Sequence, residues 1–530
     1  MYQTGDLTNL SASDPTHRST LPATLALRNA LYSDRFREFV RAVTGCAPLT
    51  AQQDCSCNAY RRGGHLLCHD DVIGTRCVSY ILYLGRPGKP WRPQLGGALE
   101  LYAVSPTTGA VEPSPVDALA PEFGSMVLFT VQPGVSYHAV QEVTSNAARL
   151  SVSGWFHAAT PPDGADFNAS LAQLQRGGGG ARGGARARLL RPPRSTYAVG
   201  PSARRRLALL VSPAYLHSST INAVRAQVAA DGAALLSSFL RPEIAQLIAK
   251  RTAAADAKDG LTEGHLPPYA AGSRRRGWRL VGPPQLRRYL QYRAPKGAGA
   301  SLAPSQAARG GGGDEGGGGG GGSGGGGEGD EGVEGDEGVE GVEGDAVYDG
   351  GSAPPPPTRP GAGGLLEEVR RLMVSAPFVQ LLSAMSGRVP ASCASEVRRF
   401  RPGLDYTLAH VGTRCAAPTL DATLSFVDAS PAALELWDSG DVGGFECHVP
   451  SSPEDAHAAA EVYRADESAA GVTSIHAASN ALSLVVREAD AMKFIKYVSA
   501  AAPSSRWDVA LEYTCAGASS HAAHAEAADE

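Results

Sequence analysis

His69 and Asp71 flank one residue in the run His69-Asp70-Asp71, and they are followed by His138 and then by Arg149. Two imidazoles and one carboxylate can hold one face of a ferrous ion and leave the other positions to substrate and O₂. A strand puts residues i and i+2 on one face, so His69 and Asp71 are expected to project together with Asp70 turned away. His138 must then arrive from a strand distant in sequence, as in a closing antiparallel sheet. Arg149, Ser151 and Ser153 form one polar strand face, opposite Leu150 and Val152. A guanidinium fork grips carboxylates bidentately, so Arg149 could hold the far carboxylate of a metal-bound 2-oxo acid. Taken singly, a His-x-Asp triplet also fits a surface hydrogen-bonded pair and an arginine a surface salt bridge. Their combination points to an oxygenase.

Positioning such a cluster needs short strands, and the sequence supplies them. Between Cys55 and His157, Val78–Leu84, Gly97–Tyr102, Met126–Val131 and Leu150–Phe156 read as strands separated by Gly/Pro turns. That spacing suggests a sandwich or barrel. Leu27 to Val43 reads as an amphipathic helix in front, Ala223 to Ala254 as helix, and Leu365 to Met385 as helix again, with strands from Ser395 to Thr514. The two strand-rich regions look like copies. Leu95-Gly-Gly97 matches Val442-Gly-Gly444, Arg149-Leu-Ser matches Arg506-Trp-Asp508, and Tyr60-Arg-Arg-Gly63 matches Phe400-Arg-Pro-Gly403.

The remainder bounds the class. The chain has 530 residues and a formal charge of −5, which gives no global field to recruit nucleic acid or an anionic membrane. Its 63 glycines concentrate in a Gly/Arg/Pro linker near 175–194 and an acidic Gly/Glu/Asp tract near 310–364, the latter expected to be disordered. The RGG-like linker weakly suggests RNA. Nine cysteines, an odd number with no CxxC pair, argue for reduced thiols in a cytoplasmic or nuclear compartment. Cys55 and Cys57 beside Cys68 could be drawn as a zinc site, but with unsuitable spacing. No secretory signal and no apolar run long enough for a membrane span is visible.

The segments Tyr60 to Asp71, Tyr80 to Leu84, Pro90-Trp91, Gly96-Gly97, Ser136-Tyr-His138 and Arg149 to His157 resemble the prolyl 3,4-dihydroxylase family, Fe(II)/2-oxoglutarate oxygenases of the Tpa1/Ofd1 type. Glu396 to Arg401 and Lys493 to Lys496 resemble that family's C-terminal domain. The resemblance implies a mainly β fold with flanking helices, built as two tandem double-stranded β-helix (jelly-roll) domains, the second degenerate. It implies a catalytic domain over 1–165, a linker over 166–204, a helical connection over 205–300, an insertion over 301–364, a non-catalytic domain over 365–515 and a loose tail over 516–530. It implies His69, Asp71 and His138 as iron ligands, Arg149 on the distal carboxylate of 2-oxoglutarate, and Tyr60, Tyr83 and Leu66 around that cosubstrate. It further implies C3 hydroxylation of a proline in ribosomal protein uS12 (S23), O₂ as co-reactant, ascorbate keeping iron reduced, and a link to translation.

In the second copy, His410 stands near the place of His69, Gly412 where the carboxylate should be, and Lys496 near the place of His138. A protonated lysine has no lone pair for a metal, so this copy should bind no iron. The family also carries structure ahead of the segment like Met1 to Leu10, which implies a front missing here. Two other readings stay open: the same chemistry on another protein or nucleic-acid substrate, or a non-enzymatic RNA- or ribosome-associated interaction protein.

Overall fold

The protein is described here by a computed structural model of residues 1–530, apart from 12, 166–187, 191–197, 296–359, 410–417, 451–472, 489–490 and 516–530. The first half contains strands β1 (Tyr2–Gln3), β2 (Cys55–Tyr60), β3 (Leu66–His69), β4 (Arg76–Tyr83), β5 (Leu99–Leu101), β6 (Asp117–Leu119), β7 (Met126–Thr130), β8 (His138–Val140) and β9 (Arg149–His157). They form two antiparallel sheets, β1-β2-β9-β4-β7 and β3-β8-β5-β6. Tyr60, Ile81 and Val127 from the first meet Leu66, Leu99, Leu119 and Val140 from the second, so the sheets close on one apolar interior.

The outer face of the larger sheet is covered by the front helices, where Leu31, Tyr32, Phe36 and Val40 pack on Val78, Tyr80, Val152 and Phe156. Burying each such side chain contributes about 1.5–3 kcal/mol. The single helix expected over Leu27–Val43 is two, Pro22–Leu31 and Asp34–Thr44. Ser33 breaks it: its hydroxyl accepts from the Phe36 amide and starts the second helix.

Beyond the first barrel lie β10 (Arg188–Leu189), β11 (Ala233–Leu236), β12 (Trp278–Val281), β13 (Arg287–Tyr292), β14 (Pro390–Phe400), β15 (Tyr406–Thr407), β16 (Thr419–Phe426), β17 (Glu446–Val449), β18 (Thr473–Ile475), β19 (Ala481–Arg487), β20 (Met492–Ile495) and β21 (Arg506–Cys515). A 9-stranded sheet and the 3-stranded sheet β18-β17-β20 build the second barrel. The stretch 205–300 is more than a helical connection, because β11, β12 and β13 join the large sheet. The helix expected over Ala223–Ala254 is interrupted there. Gly232 ends one helix (Ser218–Asp231) in the left-handed region, β11 follows, and Pro242 opens the next helix, Pro242–Lys258. The helix expected over Leu365–Met385 is likewise split into Ala362–Met373 and Ala376–Ser386. Expectations for the linker core, the acidic tract and the tail fall outside the described residues.

Two copies of one fold are visible in the register. Sheet order β2-β9-β4-β7 recurs as β14-β21-β16-β19. Tyr60 pairs with Arg149 as Phe400 pairs with Arg506. A Cβ on Gly96 would meet the Glu142 carbonyl at 1.9 Å, and one on Gly443 the Tyr497 carbonyl at 1.9 Å. At both places a left-handed glycine lets two chain segments touch.

Candidate active site

β3 and β8 are neighbours, and their register sets His69 opposite His138. Asp71 joins them differently from the strand alternation expected. β3 ends at His69, and Asp71 reaches the histidines from a left-handed turn at φ 61°. Aspartate tolerates that conformation better than most residues, and such strain concentrates at functional sites. Donor atoms of His69, Asp71 and His138 lie within 4.8 Å of one another.

The hydrogen bonds orient those donors. His69 Nδ1 lies 2.8 Å from the Leu67 carbonyl, and His138 Nδ1 lies 2.9 Å from the Ser136 carbonyl. A carbonyl oxygen only accepts, so each Nδ1 carries a proton, which leaves each Nε2 to face inward, where it donates to Asp71 when protonated and can ligate a metal when neutral. The Nε2 atoms lie 3.2 and 3.4 Å from the Asp71 carboxylate oxygens. Two imidazole nitrogens and one carboxylate converging at that range form a donor set that fits a ferrous ion. The Ser79 hydroxyl donates to Asp71 Oδ2 at 2.6 Å and fixes the carboxylate. Burial alone would raise the Asp71 carboxyl, but the bonds and charges of His138 and His69 hold it well below the usual carboxylate range. The His69 side chain is 32 % exposed, against 5 % for His138, so the cluster opens to solvent on the His69 side.

Deeper in the barrel, Arg149 is 1 % exposed. Its Nε donates to the Gly97 carbonyl at 2.7 Å, and its guanidinium lies 4.9 and 5.0 Å from the ring centres of Tyr60 and Tyr83. Tyr83 Oη is 3.5 Å from Nη2. Burial raises both tyrosine hydroxyls despite the arginine, so they stay protonated donors. No described carboxylate lies within ion-pair distance of Arg149. A buried guanidinium without a counter-charge is costly, and an anionic ligand would complete it. Leu66 packs with Tyr60 and Ile81 in the same interior.

The sequence-predicted residues therefore converge in one barrel. Sequence reasoning missed Ser79 and Phe129, whose ring lies 4.7 Å from that of His138, and gave no role to the Gly97 carbonyl or to Trp91, whose indole donates to the Gly96 carbonyl at 2.7 Å. For Ser79 a signal existed, since it shares the inward alternation of Ile81 and Tyr83. Among the described residues, Cys55, Cys57 and Cys68 form no metal-sized cluster, and the eight described cysteines are free.

Among the described residues, the second barrel holds no such cluster. Leu101 pairs with His138 in the first barrel as His448 pairs with Lys493 in the second, so Lys493, rather than Lys496, stands in the place of His138. The Tyr497 carbonyl against Gly443, matching the Glu142 carbonyl against Gly96, gives the same count. His410 and Gly412 lie outside the described residues.

Residues 202–521 match the family described as "Oxoglutarate and iron-dependent oxygenase degradation C-term", and residues 55–157 match the 2OG-Fe(II) oxygenase superfamily. The chain is 34 % identical to prolyl 3,4-dihydroxylase OGFOD1 of Ostreococcus tauri over 97 % of its own length and 88 % of that protein's. It is 41 % identical to prolyl 3-hydroxylase OGFOD1 of Xenopus laevis over 27 % of each chain. Among solved structures, a Pseudomonas putida prolyl-4-hydroxylase is similar at 25 % identity and a TM-score of 0.21, covering 28 % of this chain and 72 % of that one.

Proposed function

The chain belongs to the prolyl 3,4-dihydroxylase family of 2-oxoglutarate- and iron-dependent oxygenases, and from that premise we propose that its first barrel hydroxylates C3 of a proline in ribosomal protein uS12. As a 2-oxoglutarate-dependent prolyl hydroxylase it uses Fe(II), 2-oxoglutarate and O₂. The observation that carries the placement is the inward-facing triad beside a buried arginine without a counter-charge.

His69, Asp71 and His138 would hold the iron, and Arg149 with the Tyr83 hydroxyl would hold the distal carboxylate of 2-oxoglutarate. Iron and cosubstrate supply the oxidising power for hydrogen abstraction from the prolyl ring. The chain supplies everything that must be aimed. The Leu67 and Ser136 carbonyls fix both imidazoles in the ligating tautomer. Ser79 holds the Asp71 carboxylate against rotation. Tyr60, Leu66 and Leu99 keep bulk water from the cosubstrate pocket, and low dielectric strengthens the Arg149 contact. The peptide would approach on the exposed His69 side, over the rim where Ile73 and Val135 are exposed apolar residues. Ascorbate as iron reductant, a role in translation and a cytoplasmic or nuclear location follow from the same reading. Among the described residues, no helix is long and apolar enough to cross a membrane.

The test is mass spectrometry of uS12 from cells with and without the gene. The +16 mass on its proline should vanish with the gene; its persistence would contradict this substrate. The alternatives, another protein or nucleic-acid substrate or a non-enzymatic RNA-associated role, have no specific contact in their favour.

A further inference from the structure

Two carboxylates on and just beyond the histidine-bearing sheet, Glu100 and Glu142, are each 2 % exposed and belong to no part of the site above. Glu100 lies on β5 opposite Ala139, beside the Leu101–His138 pair. Alternation turns Leu99 and Leu101 inward and Glu100 outward, away from the metal cluster. There its carboxylate accepts hydrogen bonds from Tyr102 Oη at 2.7 Å and from Tyr269 Oη. Tyr102 Oη accepts from Arg288 Nη1 at 2.9 Å, and Arg288 Nε donates to the Leu404 carbonyl at 2.8 Å. Glu142, two residues beyond β8, accepts from the Ser499 hydroxyl at 2.5 Å and the Ala500 amide at 2.6 Å. His65, just ahead of β3, packs against Tyr497 with ring centres 4.1 Å apart and planes tilted by 30°.

Each of β3, β8 and β5 is thus gripped from outside the barrel by residues beyond 260. Burying a carboxylate is expensive, and an apolar contact of equal size would stabilise at least as well. What directional bonds to a fixed carboxylate add is geometry. We propose that the second half of the chain is a buttress that sets the spacing of His69 and His138, with Glu100 and Glu142 as positioning residues acting through β5 and β8. This rests on the reading of His69, Asp71 and His138 as the iron site.

The test uses the metal-free full-length protein titrated with Co(II), read by its visible d–d absorption, with folding followed by circular dichroism. E100Q and E142Q should stay folded, yet weaken Co(II) by about tenfold and shift the absorption bands, as removal of supports behind metal ligands does. Glu367→Gln serves as comparison, since this buried carboxylate pairs with Arg370 and Arg371 and touches neither strand. Unchanged Co(II) affinity and spectrum in folded E100Q and E142Q, or equal changes in E367Q, would overturn the buttress. Should E100Q fail to fold, E142Q decides alone, because it breaks a separate grip. If His138→Ala binds Co(II) as the unaltered protein does, the iron-site reading itself fails, which is a different result from intact binding that ignores Glu100 and Glu142.

Discussion

The two barrels carry the same arginine in the same place with opposite surroundings. Arg149 donates to the Gly97 carbonyl and Arg506 to the Gly444 carbonyl at 2.5 Å, each at the start of its strand. Around Arg149 there are tyrosine faces and no described carboxylate. Around Arg506 stand Asp508 at 3.1 Å and Glu446 at 3.5 Å. Lys493, in the place of His138, lies 3.3 Å from Glu446 and 3.6 Å from Asp421. Asp421 also takes Arg487 at 3.0 Å. Burial alone would raise the Glu446 carboxyl, yet Lys493, His448 and Arg506 hold it well below its usual range. One barrel leaves its cation for a ligand from outside; the other neutralises it with its own side chains. The pairing, rather than the fold, separates a site from a scaffold.

Matched substitutions should break this comparison in opposite directions. His138→Ala should abolish turnover with little change in melting, whereas Lys493→Met should leave turnover intact and cost up to about 3–5 kcal/mol by leaving Asp421 to Arg487 and Glu446 to His448 and Arg506 without the cation they share. Turnover assays and denaturant titrations read the two. Turnover lost in the Lys493 variant under conditions where it is folded would blur the division.

Arg149→Ala should raise the KM for 2-oxoglutarate by about a hundredfold, since a buried charge-assisted pair is worth roughly 3 kcal/mol. Steady-state kinetics with varied cosubstrate checks this, and an unchanged KM would remove Arg149 from the pocket. Ser79→Ala should weaken metal binding by about tenfold through a less restrained Asp71, measured by metal titration. Tyr83→Phe should have the smallest effect, a KM change of about fivefold or less, because it removes one hydrogen bond from a neutral hydroxyl and leaves the Arg149 charge in place.

Much of this was legible because the chemistry-bearing residues sit on short strands with clear alternation. His69, His138 and Arg149 fall where strand reading put them. Asp71 did not, because no sequence signal marks a left-handed aspartate just past a strand end. The helix breaks at Ser33, Gly232 and Pro242 carry recognisable capping and breaking residues that apolar periodicity overrode. β11 and β13 were hidden for another reason: their partners, β19 and β14, lie far along the chain, and long-range pairing leaves little local trace; β12 joins the sheet only through its hairpin with β13. Lys493 was passed over for Lys496 because the register of β17 against β20 cannot be counted from sequence alone.

The central claim is that one barrel of two holds the metal and the cosubstrate. Isothermal titration of the metal-free chain with Fe(II) under anaerobic conditions, followed by 2-oxoglutarate, tests it most directly. One equivalent of each should bind the unaltered protein, and His138→Ala should bind neither tightly. Two equivalents per chain, or one that survives in His138→Ala, would contradict it.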